Sequence, residues 1–508
     1  MDISDTSLAR WLPDWLQRCA ENTPDHLAVK CGAVRWSFAD LDQRANRLAR
    51  QIATLGVQEG SRVALLATNG LPYVACVHAL TRLGAILVPL NTRLTPQELC
   101  WQLQDVKAML LLSDSRYASL ADELQLPDIP HTTLIADVAG NVSLEAIPVA
   151  ESECSLRSLI DLNATQVIMY TSGTTGHPKG VIITYGMQWW NAIGSALNLG
   201  HQPDDCWLAC MPLFHIGGLS ILMRSVIYNI SVVLHERFEA EAINRAISED
   251  GVTIISVVAV MLQRMLAALD ADHKQYPTVL RCVLLGGGPA PRPLLEDCAR
   301  RAIPVVQTYG LTESCSQAVT LSPADALRKL GSAGRPLPPV QLRIMRDQQP
   351  AQPGEEGVIY LKGPTITPGY AERPEATTQA FHDGWLSTGD MGYLDAEGYL
   401  YVLDRRSDLI ISGGENVYPA EIEAILLAHP DVEEVGVCGR ADVQWGQVPV
   451  AFIRQRTGSD VQAASLLAYA AERLARYKHP KAIYFVEHLP RNSAGKLVRR
   501  ELIKLLPV

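Results

Sequence analysis

The segment T-S-G-T-T-G-H-P-K-G at residues 171–180 constrains this chain most strongly. It follows the apolar run V-I-M-Y at residues 167–170. An apolar run that leads into glycines and hydroxyl residues predicts a buried strand opening into a loop. Glycines let the backbone approach closely, and exposed N–H groups, hydroxyls and Lys179 would cradle an anion. The spacing is not that of a Walker A loop. We therefore predict a phosphate-binding loop, with a flexible Gly/Thr-rich linker as the alternative.

Composition excludes several classes of protein. The 508 residues exceed one compact core, so we expect two or more domains. A net charge of −10 offers no basic patch for nucleic acid. No apolar run reaches the roughly 18 residues of a transmembrane segment, and the first residues lack the basic character of a signal peptide. The 11 cysteines form no C-x-x-C pair. A metal or disulfide framework is therefore not indicated, and we expect a cytoplasmic protein.

The first half of the chain alternates helical and strand patterns. Apolar spacing predicts a helix over Leu41–Leu55, a strand over Arg62–Leu66, a helix over Tyr73–Leu83 and a strand over Ala85–Leu90. Such a βαβα rhythm favours doubly wound parallel sheets. We therefore predict an α/β fold for the N-terminal part.

The last hundred residues have the pattern of a small α+β unit. We predict helices over Ala420–Ala428 and Ala464–Tyr477, with strands over Val432–Cys438 and Val448–Ile453 between them. The domain boundary is predicted near Leu403–Asp408. This gives an N-terminal domain of residues 1–404 and a C-terminal domain of residues 405–508.

Four further motifs follow the loop in order. They are Y-G-L-T-E at residues 309–313, S-T-G-D at 387–390, D-R-R-S-D at 404–408 and P-R-N-S-A-G-K at 490–496. Together with the loop they resemble the motifs of the adenylate-forming enzymes, which include acyl-CoA synthetases, peptide-synthetase adenylation domains and luciferases. The resemblance covers nearly the whole chain. It implies a large N-terminal domain built of subdomains and a small mobile C-terminal domain.

The reaction implied by this resemblance is the activation of a small-molecule carboxylic acid. A carboxylate attacks the α-phosphate of ATP and expels pyrophosphate, and the thiol of coenzyme A then displaces AMP. Because negative charges meet in the first step, catalysis depends on positioning and on stabilisation by cations and amides. ATP, Mg²⁺ and coenzyme A are the implied cofactors and co-substrates. No nucleic-acid partner is expected, and a homo-oligomer is left open.

The resemblance assigns roles to the motif residues. The β- and γ-phosphates would be held by Thr171, Ser172, Gly173, Thr174, Thr175 and Lys179. Glu313 would hold Mg²⁺, which prefers oxygen ligands, and Thr312 would bond the α-phosphate. Lys496 would contact the α-phosphate and the carboxylate as a flexible point charge. The alternatives are a surface carboxylate for Glu313 and a solvated lysine for Lys496.

The nucleoside would be bound by three further elements. Adenine would slide against the backbone of Gly287, Gly288 and Pro289. Tyr309 would stack on its other face. Asp390 would accept hydrogen bonds from the ribose hydroxyls, assisted by Arg405. A structural salt bridge is the alternative for the last two residues.

Two elements are expected to serve the thiol step. Ser407 occupies the hinge position, where Asp or Lys is more usual, and the C-terminal domain would rotate about it between the half-reactions. Gly413 and Gly414 would let the pantetheine arm of coenzyme A pass close to the backbone. A plain β-turn is the competing interpretation of these glycines.

The acid pocket is predicted around P-L-F-H-I-G-G at residues 212–218. Between Asp205 and Glu236 there is no acidic residue that could bind the ammonium group of an amino acid. This argues for a carboxylic acid without an α-amine. By resemblance His215 would lie beside the acyl group, although a lone histidine is more often structural.

A finer resemblance is to the 2-succinylbenzoate–CoA ligases of menaquinone and phylloquinone biosynthesis. It rests on M-P-L-F-H-I-G-G-L-S at residues 211–220, L-G-G-G-P-A-P at 285–291, Y-G-L-T-E-S-C-S-Q at 309–317 and S-G-G-E-N-V-Y-P-A-E-I-E at 412–423. This acid has a ring and two carboxylates. Gly217, Gly218 and Gly287 could leave a slot for the ring. Ser314, Ser316 and Gln317 supply polar groups that a fatty-acid tunnel would not need.

The group that would bind the second carboxylate is not evident from the sequence. Arg224 is a candidate by charge, but no pattern places it in the pocket. Three alternatives stay open. They are another aryl- or medium-chain acyl-CoA synthetase, a stand-alone adenylation enzyme that loads a carrier protein, and a catalytically idle binding scaffold.

Overall fold

The computed structural model describes residues 10–145, 154–171, 178–287, 290, 292–404, 409–490, 497 and 499–506. Strands and helices alternate in the first part of the chain. They are β1 (Trp11–Pro13), α1 (Trp15–Asn22), β2 (Leu27–Cys31), β3 (Val34–Ser37), α2 (Phe38–Ala53), β4 (Arg62–Leu66), α3 (Leu71–Leu83), β5 (Ile86–Pro89), α4 (Pro96–Asp105), β6 (Leu110–Asp114), α5 (Ala118–Glu123), β7 (His131–Ala136), β8 (Val142–Leu144) and β9 (Leu159–Asp161).

The alternation continues through the middle of the chain. The elements there are β10 (Thr165–Thr171), β11 (Lys179–Thr184), α6 (Tyr185–Leu199), β12 (Cys206–Ala209), α7 (Ile216–Tyr228), β13 (Ser231–Leu234), α8 (Ala240–Glu249), β14 (Ile254–Val257), α9 (Ala259–Ala271), β15 (Cys282–Leu285), α10 (Arg292–Arg300), β16 (Val305–Tyr309), β17 (Val319–Leu321), β18 (Arg335–Pro336), β19 (Gln341–Arg346) and β20 (Gln349–Pro350).

Strands dominate the last part. The elements there are β21 (Gly357–Lys362), α11 (Pro374–Ala380), β22 (Phe381–His382), β23 (Trp385–Leu394), β24 (Leu400–Asp404), β25 (Ile410–Ser412), β26 (Glu415–Val417), α12 (Pro419–Leu427), β27 (Val432–Asp442), β28 (Gly446–Gln455), α13 (Ala463–Ala471), β29 (Ile483–Phe485) and α14 (Arg499–Leu502). Short 3₁₀ helices cover Thr312–Ser314, Pro323–Asp325, Arg476–Lys478 and Ile503–Leu505.

Two mostly parallel sheets form the centre of the large N-terminal part. The seven-stranded sheet has the order β11-β10-β5-β4-β6-β7-β8, and its five central strands are parallel. The nine-stranded sheet has the order β18-β17-β16-β15-β14-β12-β13-β2-β3, with β16 through β2 parallel. This confirms the predicted α/β class and its doubly wound parallel sheets.

A layer of helices separates the two sheets. One core cluster contains Leu65 of the seven-stranded sheet, Trp207 of the nine-stranded sheet and Leu80 of α3. Except for Pro72, every residue of α3 is buried. Separate clusters cover the outer faces of the sheets, so the arrangement is helix–sheet–helix–sheet–helix. Burying each large apolar side chain stabilises such layers by about 1.5–3 kcal/mol.

Local signals account for the helix boundaries. Ser37 Oγ accepts from the Asp40 N–H, and Asp40 Oδ2 accepts from the Ser37 N–H, at 3.1 and 3.0 Å. This capping box starts α2 at Phe38, three residues before the predicted Leu41. The predicted strand over Arg62–Leu66 has the bounds of β4, and the helix and strand predicted after it agree with α3 and β5 within two residues.

Two further sheets complete the chain, and they are antiparallel except for the parallel pair of β28 and β29. One is a six-stranded sheet of β19–β24, and the other is a sheet of β25–β29 packed with α12 and α13. The large N-terminal and small C-terminal parts agree with the predicted architecture. Residues 405–408 lie outside the described part, and the division into residues 1–404 and 405–508 stays a prediction.

One predicted helix is six residues too long at its C-terminal end. The helix expected over Ala464–Tyr477 ends at Ala471 as α13. Ala475 lies beyond the end of this helix and packs in the apolar cluster on the outer face of the seven-stranded sheet, where Tyr477 also packs. Contacts with a distant part of the chain therefore outweigh the local helical preference. Among the described residues, every helix is too short or too polar to serve as a bilayer span.

Candidate active site

A cavity of about 470 Å³ lies where the parallel strands of the nine-stranded sheet end. The segments that follow β12, β14, β15 and β16 contribute His215, Val258, Gly287 and Glu313 to its wall. Carboxyl ends of neighbouring parallel strands meet at one sheet edge, which is where ligands bind in open α/β folds. Residues predicted from separate motifs are thus brought into one cavity.

The predicted phosphate and metal groups converge at this cavity. Thr171, Lys179, Thr312 and Glu313 all line it. Tyr370 Oη donates to Glu313 Oε1 at 3.0 Å. Lys179 Nζ lies 5.3 Å from the centre of the Tyr370 ring. A carboxylate and a cation beside one ring suit a phosphate chain with its counter-ion.

The donor set fits Mg²⁺ bound through phosphate. Among the described residues there is no group of three or more His, Cys, Asp or Glu that could form a self-contained metal centre. Mg²⁺ is commonly held by one or two carboxylates plus substrate phosphates. Glu313 in the cavity wall is such a carboxylate. Its role as metal ligand stays a prediction.

The nucleoside residues are arranged differently from the expectation. Asp390 lines the cavity, as predicted for a ribose ligand. Tyr309 is buried in an adjacent apolar cluster, and its Oη donates to Asp390 Oδ2 at 2.6 Å. Tyr309 is not part of the cavity wall in this structure. Its contact instead orients the Asp390 carboxylate, and stacking on adenine stays a prediction.

Gly287 is required by its backbone and its surroundings. Its φ is +80°, and a β-carbon there would lie 2.9 Å from Val258 Cγ1. A side chain would therefore be strained in two ways. The exposed backbone of Gly286 and Gly287 forms this side of the cavity, as expected for a surface that meets a flat ligand.

The glycines after His215 have two different functions. A β-carbon on Gly217 would meet no atom of the described residues within 4 Å, so this glycine opens space in the cavity wall. A β-carbon on Gly218 would lie 2.3 Å from the Pro212 carbonyl oxygen. Gly218 therefore permits close packing at the start of α7, and of the two only Gly217 supports the predicted slot.

The loop over residues 310–317 is held in a strained conformation. Cys315 and Ser316 have φ of +54° and +89°, which is costly for residues with a side chain. A β-carbon on Gly310 would lie 1.6 Å from the Ser316 carbonyl oxygen. Ser316 and Gln317 line the cavity. Burial raises the pKa of the Cys315 thiol to about 12, so this thiol stays protonated.

Ser314 is not brought to the cavity wall. Its side chain is fully buried, and its hydroxyl accepts from the Leu311 N–H at 2.9 Å. The same hydroxyl lies 3.1 Å from the carbonyl oxygens of Leu311 and Ser316. Ser314 thus holds the loop that presents Ser316. Direct contact of Ser314 with an acid stays a prediction without support from this geometry.

Arg224 is a buried cation in the cavity wall, which sequence patterns could not show. It is 2 % exposed and lies on α7. Its Nη2 donates to Asn191 Oδ1 at 2.7 Å, and its guanidinium carbon lies 5.2 Å from the Trp207 ring centre. Among the described residues, no carboxylate lies within ion-pair distance of it. Burial lowers its pKa, which reflects the cost of an uncompensated charge.

The C-terminal part closes one side of the cavity. Leu409, Gly414, Asn416 and Tyr418 line it. Gly414 has φ of +89°, and a β-carbon there would lie 3.6 Å from Val258 of the N-terminal part. Gly413 instead lies against Trp445, whose ring would be 2.6 Å from an added β-carbon. Gly414 is thus the glycine of this pair that faces the cavity.

Glu415 connects the C-terminal part to the cavity wall. His215 Nε2 lies 2.9 Å from Glu415 Oε2, and Arg93 Nη1 donates to Glu415 Oε1 at 2.7 Å. The Glu415 side chain is 4 % exposed. Burial alone would raise its pKa, but His215 and Arg93 reverse the effect and hold the pKa below the usual range. Glu415 is therefore ionised and paired.

A second charged group also joins the C-terminal part to the N-terminal part. Lys478 Nζ donates to Glu98 Oε1 at 2.6 Å and to Glu421 Oε1 at 2.7 Å. The Lys478 side chain is 3 % exposed. Nearby, Asn91 Nδ2 donates to Tyr477 Oη at 3.3 Å.

We define the interdomain contact as the contacts of residues 91–98 and His215 with Glu415, Tyr477 and Lys478. Lys478 and Glu98 are 380 positions apart in sequence, so no local motif predicts their pairing.

Several predicted site residues cannot be compared with this geometry. Those outside the described part of the chain are Ser172, Gly173, Thr174, Thr175, Gly288, Pro289, Arg405, Ser407 and Lys496. Their roles stay predictions.

Comparisons with known proteins agree with this arrangement. The family model of AMP-binding enzymes matches residues 16–371, and that of the AMP-binding enzyme C-terminal domain matches residues 421–496. A 2-succinylbenzoate–CoA ligase from Geobacillus kaustophilus is 53 % identical over 98 % of each chain. Its similarity extends over both parts of the fold.

Two solved structures of o-succinylbenzoate CoA synthetase (MenE) from Bacillus subtilis are also similar. A double mutant bound to the product analogue OSB-NCoA has a TM-score of 0.90 at 44 % identity, over 97 % of this chain and 99 % of that one. The complex with ATP and magnesium ion has a TM-score of 0.73 at 43 % identity, over 97 % and 100 %. The resemblance deduced from the motifs is thus confirmed: the chain belongs to the AMP-binding, adenylate-forming enzyme family.

Proposed function

We propose that this protein is an ATP-dependent acid–CoA ligase that converts 2-succinylbenzoate to its CoA thioester in menaquinone or phylloquinone biosynthesis. The observation that carries the choice of acid is Arg224. This buried cation has no carboxylate partner among the described residues and lines the same cavity as Lys179 and Glu313. An acid with two carboxylates can present one to the phosphate-binding groups and the other to Arg224.

In the first half-reaction, the cavity would hold ATP and the acid for attack on the α-phosphate. Lys179 and Thr171 would hold the phosphates, and Glu313 would hold Mg²⁺, which neutralises phosphate charge when bound. Lys496 would add a cation at the reacting oxygens. These groups position reactants and stabilise charge, which is the main need of phosphoryl transfer.

In the second half-reaction, the thiol of coenzyme A would displace AMP. The present structure has the higher TM-score with the complex of the CoA-containing analogue, 0.90 against 0.73 for the ATP complex. This supports an orientation of the C-terminal part suited to thioester formation. In this orientation Gly414 lines the cavity, and Glu415 contacts His215. The backbone at Gly414 would leave passage for the pantetheine arm.

Recognition of the acid would rest on shape and on charge. Gly217 opens the wall where a ring could lie, and Ser316 and Gln317 supply polar groups. Arg224 would pair with the second carboxylate and relieve the cost of its own burial. A simple fatty acid would leave these groups without partners, at about 1–3 kcal/mol for each unpaired buried group.

The test is pyrophosphate release with 2-succinylbenzoate, benzoate, 4-coumarate and octanoate, each in the presence of Mg²⁺ and coenzyme A. We expect 2-succinylbenzoate to be preferred over octanoate by at least ~10²-fold in kcat/KM, because octanoate strands several polar groups. Equal efficiency with octanoate or benzoate would contradict the choice of acid. The more general proposal of an acyl-CoA ligase would still be supported by that result.

A parallel assay with a carrier protein in place of coenzyme A separates the ligase from an enzyme that loads carriers. Thioester formed only on coenzyme A supports the ligase. Homo-oligomer formation stays a prediction that these assays do not address.

A further inference from the structure

The surroundings of Arg224 are neutral on every side that the structure describes. Beneath it lies the Trp207 ring, at 5.2 Å from the guanidinium carbon. Beside it lies the amide of Asn191, whose Oδ1 accepts from Nη2 at 2.7 Å. Among the described residues, Arg224 Nε has no hydrogen-bond partner. Neutral groups can orient a cation, but they do not cancel its charge.

Asn191 is held in one orientation by the loop that lines the cavity. It lies on α6 and is 1 % exposed. Its Nδ2 donates to the Gln317 carbonyl oxygen at 2.8 Å and lies 3.3 Å from the Ser314 carbonyl oxygen. Because both neighbours are acceptors, the amide nitrogen must face the loop, and the amide oxygen must face Arg224. Asn191 therefore ties the position of Arg224 to the position of residues 314–317.

The side chain at position 191 also decides whether Arg224 is neutralised. An aspartate there has nearly the same shape but would place a carboxylate about 3 Å from the guanidinium, within ion-pair distance. That carboxylate would compete with any anion entering the cavity. An asparagine keeps the hydrogen bond and leaves the positive charge available. A buried cation without a counter-ion is costly, so its retention is explained if a ligand supplies the anion.

We propose that Asn191 is a positioning residue that sets specificity for a dicarboxylic acid. It orients Arg224 through a hydrogen bond to a neutral amide, and so reserves the Arg224 charge for the second carboxylate of the substrate. The inference rests on the proposed function, because it requires an acid with two carboxylates.

The test compares three acids in wild type and Asn191→Asp. They are 2-succinylbenzoate and two analogues that each lack one carboxylate, 4-oxo-4-phenylbutanoate and 2-butanoylbenzoate. In wild type we expect 2-succinylbenzoate to be preferred by at least ~10²-fold in kcat/KM. In Asn191→Asp we expect its KM to rise at least tenfold, while the KM for ATP and the kcat/KM of whichever analogue is turned over change less than threefold.

Asn244→Asp is the matched control. Asn244 is also a buried helical asparagine: its Nδ2 donates to the Met265 carbonyl oxygen at 2.9 Å, and its Oδ1 accepts from Tyr276 Oη at 2.8 Å. It does not line the cavity. We expect this variant to lose thermal stability without a change in acid preference, which separates destabilisation from loss of charge selectivity.

A second variant keeps the inference testable if Asn191→Asp does not fold. Asn191→Ser removes the link between Arg224 and the loop without adding charge. We expect it to raise the KM for 2-succinylbenzoate threefold to tenfold and to spare the KM for ATP. Introducing Arg224→Gln into Asn191→Ser should remove the remaining preference for 2-succinylbenzoate, because Arg224 keeps its charge in the Asn191→Ser variant.

The outcomes separate the two proposals. A wild type that does not prefer 2-succinylbenzoate would overturn the proposed function, and this inference with it. A preference for 2-succinylbenzoate that is as large in the Asn191 variants as in wild type would overturn the inference alone. An equal fall for all three acids and for ATP would show that Asn191 only supports the fold.

Discussion

The acid end of the cavity and the interdomain contact both bury charge, but they do so in opposite ways. At the acid end, Arg224 is held by the neutral groups of Asn191 and Trp207, all within the N-terminal part. At the interdomain contact, Lys478 is buried between the carboxylates of Glu98 and Glu421. Among the described residues, Arg224 has no carboxylate partner, whereas Lys478 has two.

This difference matches what each region must do. An uncompensated buried cation is costly until an anion arrives, so the acid end is prepared for a ligand. Paired charges that join two parts of a chain can separate if each returns to water, since the desolvation cost is then recovered. Lys478 would keep Glu421 within the C-terminal part after separation. The acid end is thus a fixed recognition site, and the interdomain contact is suited to reversible association.

The largest expected effect concerns Lys496, which lies outside the described residues. Lys496→Ala should lower adenylate formation by at least ~10²-fold, because a cation contact made in the transition state is typically worth ~3 kcal/mol or more. Thioester formation from pre-made acyl-adenylate should be nearly unchanged, because this step would use the other orientation of the C-terminal part. Measurement of the two half-reactions separately is the check. Equal losses in both would contradict a contact that alternates between orientations.

The next largest effect should arise where the C-terminal part meets the cavity. Gly414→Leu should reduce thioester formation by roughly 10²-fold, because a side chain at φ of +89° would fill the cavity beside Val258. ATP–pyrophosphate exchange should stay within a few-fold of wild type. Gly458→Leu is the matched control, since Gly458 has φ of +87° but, in the part of the chain that the structure describes, no atom within 4 Å of an added β-carbon. A parallel fall in exchange would indicate that residue 414 serves adenylation or folding.

The smallest effect should come from weakening the interdomain contact itself. Glu98→Gln removes one charge opposite Lys478 but leaves the Lys478–Glu421 pair. We expect thioester formation from pre-made adenylate to fall about threefold to tenfold, because the ion pair of Lys478 with Glu98 becomes a hydrogen bond to a neutral amide. Adenylation should not fall, because the contact belongs to the other orientation.

Glu372→Gln is the control for this last experiment. Glu372 pairs with Arg62 and Lys107, which lie in the N-terminal part as Glu372 does. Its loss should affect both half-reactions equally or neither. A fall in adenylation by Glu98→Gln would mean that the interdomain contact is not specific to thioester formation.

Local sequence patterns predicted the elements whose causes are local. The strand β4 has its predicted bounds, and the motif residues Lys179, Glu313 and Asp390 line one cavity because they follow or lie in strands that converge there. The helix predicted to reach Tyr477 stops at Ala471, since its last residues pack against a distant sheet. Propensity describes the segment alone and carries no information about that sheet.

The same limit applies within the site. Gly217 and Gly218 are identical in sequence, yet one opens the cavity and the other packs against a carbonyl oxygen. Ser314 and Ser316 are both polar loop residues, yet only Ser316 lines the cavity. The different directions of the Ser314 and Ser316 side chains follow from the left-handed backbone at Cys315 and Ser316. A residue type shows what a side chain can do, but not where it points.

Motif order and hydrophobic periodicity were sufficient to identify the family, the α/β class and the phosphate, metal and ribose candidates. These properties are encoded in short segments, so they can be recognised without the fold. The placement of Arg224 in the cavity, its orientation by Asn191 and the pairing of Lys478 with Glu98 could not be recognised in this way. They depend on helices and loops that are far apart along the chain and meet only after the sheets have packed. Whether a buried charge is paired is a property of that packing, and the structure was needed to find it.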